Sequence, residues 1–138
     1  MGTNWDKQGN YQKYNSDGST PVVVVGSLAN VIPVTQDSSA NAVNTLTVVG
    51  VEGKSIYVEA IEVVTSGASA GSDINILLKD GATTKWKTII GSGASRGTRV
   101  GIVLPMPIKI TAGANCVLAV DAGGASVVTT ANLAYYTA

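Results

Sequence analysis

The sequence predicts an all-β protein: an antiparallel two-sheet β-sandwich, jelly-roll-like, with an extended N-terminal arm. Three observations carry that expectation. Short segments rich in Val, Ile, Leu and Thr recur from Leu28 onward, and counting them between Gly, Pro, Asn, Asp and Ser clusters gives about eight strands. Apolar residues within them alternate at period two, and no segment between them shows helical spacing. The composition agrees, with sixteen glycines and no phenylalanine, because the remaining aliphatic residues suit thin, closely packed sheets.

Residues 1–40 read as an arm and linker with edge segments, and residues 41–138 as the sandwich domain. The first twenty residues are polar and rich in Gly, Asn and Ser, with Trp5, Tyr11 and Tyr14 spaced among Lys, Gln and Asn. The segment reads either as a disordered terminus or, since a purely solvating tail has no use for three aromatic side chains, as an arm whose aromatics dock as anchors on a neighbouring subunit. Asn15-Ser16-Asp17-Gly18 is a turn, lacking the remaining ligands of a calcium loop. Pro21 precedes four valines, and after Gly26 a second apolar run contains Pro33. Proline cannot donate to a ladder, which confines that run to a sheet edge. A polar linker over residues 35–42 leads to the regular part of the chain.

In residues 56–64, IYVEAIEVV, the alternation changes phase. Ile56 and Val58 share one face, and an unbroken strand would put Ile61 and Val63 on the other. A β-bulge near Ala60 turns both apolar pairs inward and leaves Glu59 and Glu62 toward solvent. Residues 73–90 form a hairpin, with Ile74, Ile76 and Leu78 on one arm, Trp86, Thr88 and Ile90 on the other, and Asp80-Gly81 at the turn. Glycine- and serine-rich loops over residues 66–72 and 91–97 read as flexible tips. Val100, Ile102 and Leu104 form the next strand, and Pro105-Met106-Pro107 is expected to cross between sheets. Strands over residues 116–120 and 126–135 close the fold. Trp86, Ile76, Leu78, Ile102 and Leu118 are the predicted core.

The chain contains no histidine, which excludes Ser-His-Asp, Cys-His and zinc-protease arrangements. Cys116 is the sole cysteine; it cannot form an internal disulfide and reads as a small buried hydrophobe. Glu59 and Glu62 are the best pair of carboxylates for glycoside hydrolysis, but they belong to an outer sheet face without an evident cleft. GSGASRG over residues 91–97 lacks the spacing of a phosphate-binding loop. Lys85, Lys87, Arg96 and Arg99 read as ordinary solvent-facing residues rather than a functional patch. No enzyme activity, cofactor or metal site is expected. Nine basic and nine acidic side chains cancel, so no field draws the chain to nucleic acid or an acidic membrane. No apolar run approaches the length of a membrane span, and the start carries no signal-peptide core, so the chain is expected to be made and kept in the cytosol unless exported by another route. Charged residues make up only 13%, so part of the surface is expected to be covered by other subunits in a homo-oligomer.

NTLTV at 44–48, GKSIYVEAIEV at 53–63, INILLKDGATTKWKT at 74–88, the Pro105-Met106-Pro107 segment and the closing Tyr135-Tyr136 follow one another in an order that resembles the β-sandwich domains of tailed-bacteriophage virion proteins. The resemblance is strongest to small capsid decoration and head-fibre proteins, and the arm lies outside it. It implies a non-enzymatic virion component, often a homotrimer, made in the host cytoplasm and fixed to the capsid surface through its arm or one end of its sandwich. The implied partners are the major capsid protein or other virion proteins, with Trp5, Tyr11 and Tyr14 as the anchors. The alternative is a receptor- or carbohydrate-binding module of a phage fibre or tail, which an inward-facing Trp86 weakens.

Overall fold

The computed structural model describes residues 30–138, and every regular element within them is a strand. The strands are β1 (Ile32–Asp37), β2 (Asn44–Val48), β3 (Ile56–Ser66), β4 (Ile74–Asp80), β5 (Thr83–Ile90), β6 (Arg99–Lys109), β7 (Cys116–Val120) and β8 (Val128–Thr137). They form two four-stranded sheets, ordered β1-β8-β3-β6 and β2-β7-β4-β5, and every pairing is antiparallel. The order has a simple origin. A long hairpin bent at the β4–β5 turn pairs β3 with β6, β2 with β7 and β1 with β8. Rolling that hairpin up brings β8 beside β3 and β7 beside β4, which is the jelly-roll arrangement expected of the sequence.

The bend is chemically specified. Asp80 faces Thr83 across a two-residue turn, and Gly81 takes a φ of 60° while Ala82 does not have a positive φ. Glycine at the first central position with φ > 0 is the type II′ pattern, whose twist matches that of the flanking strands. Asp80 is then locked in place: its Oδ2 accepts from the Thr111 amide at 3.1 Å and the Thr111 hydroxyl at 2.8 Å, and Lys85 pairs with it at 3.7 Å. A register shift after Leu78 leaves Lys85 as an extra residue, so Trp86 stands opposite Leu78. Trp86 therefore packs against the core from its rim. It is only half-buried because β5 is an edge strand.

The phase change in β3 is resolved by a bulge. Val58 pairs with Tyr135 and Ala60 with Ala134, so Glu59 has no partner on β8. Ile56, Val58, Ile61 and Val63 are all buried in consequence, and Glu59 and Glu62 are half-exposed. On the other side of β3 the irregularity is larger, since Val58 pairs with Ile108 and Ala60 with Val103. Residues 104–107, including Pro105-Met106-Pro107, bow out of the ladder there. They do not cross between sheets as expected, because β6 is an edge strand that can shed several pairings without leaving its sheet. Pro33 likewise sits on an edge, in β1.

The core lies between the sheets. Ile76, Leu78 and Leu118 are fully buried, as are Ile74, Val58 and Val63, while Ile102 joins Trp86 at the rim. The two glycine-rich loops are bound to each other rather than free tips. Ala70 donates to the Ala94 carbonyl and Gly93 to the Ala70 carbonyl, each at 2.8 Å, and Gly71 donates to Gly123 at 2.7 Å. Ser92 adds a bond from its amide to Asp73 Oδ1 at 2.8 Å. Gly123 permits this closure, since a Cβ there would stand 2.5 Å from Val127 Cγ1.

Candidate interaction surface

The outward residues of the first sheet form three rows of Cα partners across β1, β8, β3 and β6. One is Pro33, Ala134, Ala60 and Val103; the next is Thr35, Asn132, Glu62 and Gly101; and at the other end Tyr136, Tyr57 and Lys109 are aligned. The middle of this face is made of small side chains while Pro33 and Val103 stand at its sides, so the sheet carries a shallow furrow of about 540 Å³. Val103 is 80% exposed, and so is Met106 in the bowed segment beside it. This apolar stretch of the outer sheet face is the candidate interaction surface.

The rows on either side of Ala134 and Ala60 differ in chemistry. On one side the Tyr57 and Tyr136 rings stack at 5.0 Å with 8° between their planes, and the Lys109 ammonium lies 5.9 Å from the Tyr57 ring centre. Tyr57 is flanked by both. On the other side Glu62 has each oxygen engaged: Asn132 Nδ2 donates to Oε1 at 3.3 Å and Arg99 pairs with Oε2 at 3.4 Å. This is the carboxylate that the sequence offered as half of a catalytic pair. It serves here to neutralise Arg99 and anchor β8 against β3.

The other candidates are dispersed. Lys85 and Lys87 lie on β5 and Arg99 on β6, in different sheets, with Lys85 held by Asp80 and Arg99 by Glu62. Among the described residues no three His, Cys, Asp or Glu side chains gather as a metal site would require. Trp5, Tyr11 and Tyr14 lie outside the described residues. The furrow itself was not read from the sequence. Its signal is small residues at outward positions, Ala60, Gly101 and Ala134, where a solvent-facing strand ordinarily carries charge.

Cys116 is wholly buried, and burial, with a smaller contribution from the nearby Asp80 charge, pushes its thiol up to about 12 from an ordinary value of 9.0. The native protein should therefore resist a thiol reagent at mildly alkaline pH and react once unfolded in urea. The linked stability has a definite sign. The unfolded chain loses this proton first, so the contribution is complete below 9.0 and is lost as pH rises toward about 12. Unfolding free energies measured across that window check it.

No family model matches the chain, and no curated protein matches it. Among solved structures it is similar to the cryo-EM structure of a virus-like particle of extra small virus from the giant freshwater prawn Macrobrachium rosenbergii. That likeness has 16% identity, covers 98% of this chain and 94% of that chain, and gives a TM-score of 0.32. At this score the likeness carries no weight for function.

Proposed function

We propose that this chain is a non-enzymatic structural protein of a virion, a capsid decoration or cement protein attached to the particle surface through residues 1–20. Trp5, Tyr11 and Tyr14 are the anchors in this reading, and the major capsid protein or another virion protein is the partner. The observation that carries it is the outer face of the first sheet. In a chain with so few charges, the centre of that face is Ala60, Gly101, Val103 and Ala134, a surface built for lasting contact with protein. The jelly-roll strand order and the motif order quoted above are consistent with it, and the homotrimer is the assembly the resemblance implies.

Among the described residues the eight strands lie between Ile32 and Thr137, and the first of them, β1, is an edge strand; in this reading attachment through residues 1–20 is separate from folding. A variant lacking residues 1–20 should keep the circular dichroism spectrum and unfolding transition of the full chain while losing its binding to purified capsids. Undiminished capsid binding would refute the arm's role. The carbohydrate-binding alternative is weakened, because Trp86 packs against the core.

A further inference from the structure

We propose that the pocket between Ser55, Asp80, Lys85, Lys109 and Thr111 is a binding site for a single carboxylate group. With Ala112 these residues line a cleft of about 340 Å³ that draws on both sheets. Asp80 ends β4, Lys85 belongs to β5 and Lys109 ends β6, while Ser55 immediately precedes β3 and Thr111 follows β6.

Two observations in the cleft point to a ligand. Ser55 is only 6% exposed, and its backbone amide and carbonyl are both bonded to Ala138, at 2.8 and 3.0 Å. Its hydroxyl has no hydrogen-bond partner among the described residues, although a buried hydroxyl left unpaired is destabilising. The second observation is Lys109. The ion pairs of the described residues are Lys85 with Asp80 and Arg99 with Glu62, so Lys109 has no acid partner among them. Its ammonium rests instead 5.9 Å from the Tyr57 ring centre.

Donors and charge select the ligand. Asp80 Oδ2 accepts from the Thr111 amide, the Thr111 hydroxyl and Lys85. Thr111 has therefore spent both of its protons on Asp80. The donors left for a ligand are the Ser55 hydroxyl, the Lys109 ammonium and the remaining protons of Lys85. Two ammonium groups against one carboxylate leave a single positive charge in the cleft, which a second carboxylate balances. A phosphate dianion would bring excess negative charge close to Asp80. Lys109 also closes the tyrosine row, opposite Tyr57, so the cleft adjoins the outer face of the first sheet. A free organic acid and an Asp or Glu side chain of a protein seated on that face both carry the required group.

The site stands or falls independently of the virion reading, because its test uses the isolated full chain. Sodium acetate is titrated against it while amide chemical shifts are followed, with sodium chloride at equal ionic strength as the control. Ser55, Lys109 and Thr111 should shift saturably with acetate and not with chloride. Lys109→Gln should weaken binding at least about tenfold, and Lys109→Arg should retain it. Ser55→Ala should weaken binding about tenfold yet leave the unfolding transition of the acetate-free protein unchanged or raised, since it removes an unpaired hydroxyl. A serine of purely structural use gives the reverse, lower stability with binding untouched, and that result would overturn its role. Absence of saturable shifts, or phosphate binding as tightly as acetate, would overturn the carboxylate assignment. N-acetylglutamic acid α-amide, which offers only its side-chain carboxylate, separates the two sources. Binding within about tenfold of acetate's upholds the site as one for a protein side chain, and weaker binding upholds it as one for a small free acid.

Discussion

Deleting Glu59 should leave a folded protein, whereas deleting Asn75 should abolish the cooperative fold. Glu59 is the residue without a partner on β8, since Val58 pairs with Tyr135 and Ala60 with Ala134. Removing it joins Val58 to Ala60 with every downstream partner on β8 unchanged, and Ile56, Val58, Ile61 and Val63 then alternate regularly toward the core. The bowed residues of β6 are at an edge and can adjust. Asn75 lies in a strand with no spare residue over this stretch: Ile74, Ile76 and Leu78 are fully buried, and Asn75 is paired with Ile89. Its removal exposes Ile74 and turns Asp73 inward, or exposes Leu78 and turns Lys79 inward. Either outcome combines lost aliphatic burial with a buried charge and should cost at least ~4 kcal/mol, a large share of a small domain's stability. It also removes the bond from Asn75 Nδ2 to Asp121 Oδ2 at 2.7 Å. Circular dichroism and thermal unfolding of the two deletion variants distinguish these results, and equal behaviour would contradict the bulge assignment.

Replacing Asn44 by Leu should lower the unfolding free energy by about 2–3 kcal/mol although it adds apolar surface to the interior. Asn44 is 1% exposed and belongs to β2, in the second sheet, yet its bonds go to the first. Its Nδ2 donates to the carbonyls of Gln36 and Thr129, each at 2.9 Å, and its Oδ1 accepts from Gln36 Nε2 at 3.1 Å. Leucine is of similar size but leaves those groups short of a partner. The Thr129 carbonyl retains the Ser38 amide at 2.9 Å, which limits the loss. Urea unfolding with an unchanged m-value is the check. A neutral result would show that the corner between the sheets is held by packing alone.

Asn44 also shows where sequence reasoning stops. In NTLTV it looks like the polar residue that opens a strand, and nothing nearby reveals that its amide spans two sheets, because Thr129 is far along the chain. The bulge in β3 was legible for the opposite reason. Its cause is local: two apolar pairs out of phase within one strand admit few solutions, and only an extra residue keeps both glutamates out of the core. The β4–β5 turn was legible because φ > 0 at its first position selects glycine. Pro105-Met106-Pro107 was misread as a crossing because two prolines state that pairing is lost, without saying whether the chain leaves the sheet or bows within it. The loops over residues 66–72 and 91–97 were misread as flexible because their bonds are made with each other and with Gly123, residues that only folding brings together.

The sequence by itself determined the fold class, the bulge, the edge placement of Pro33 and the buried state of Cys116, since alternation, turn chemistry and missing donors act over a few residues. Only the tertiary structure decided that Trp86 sits at the rim of the core, that Glu62 is committed to Asn132 and Arg99, and that Ala60, Gly101 and Ala134 line one furrow. Those outcomes depend on which strands become neighbours and which become edges. Rolling up the hairpin settles that by pairing residues far apart in the chain.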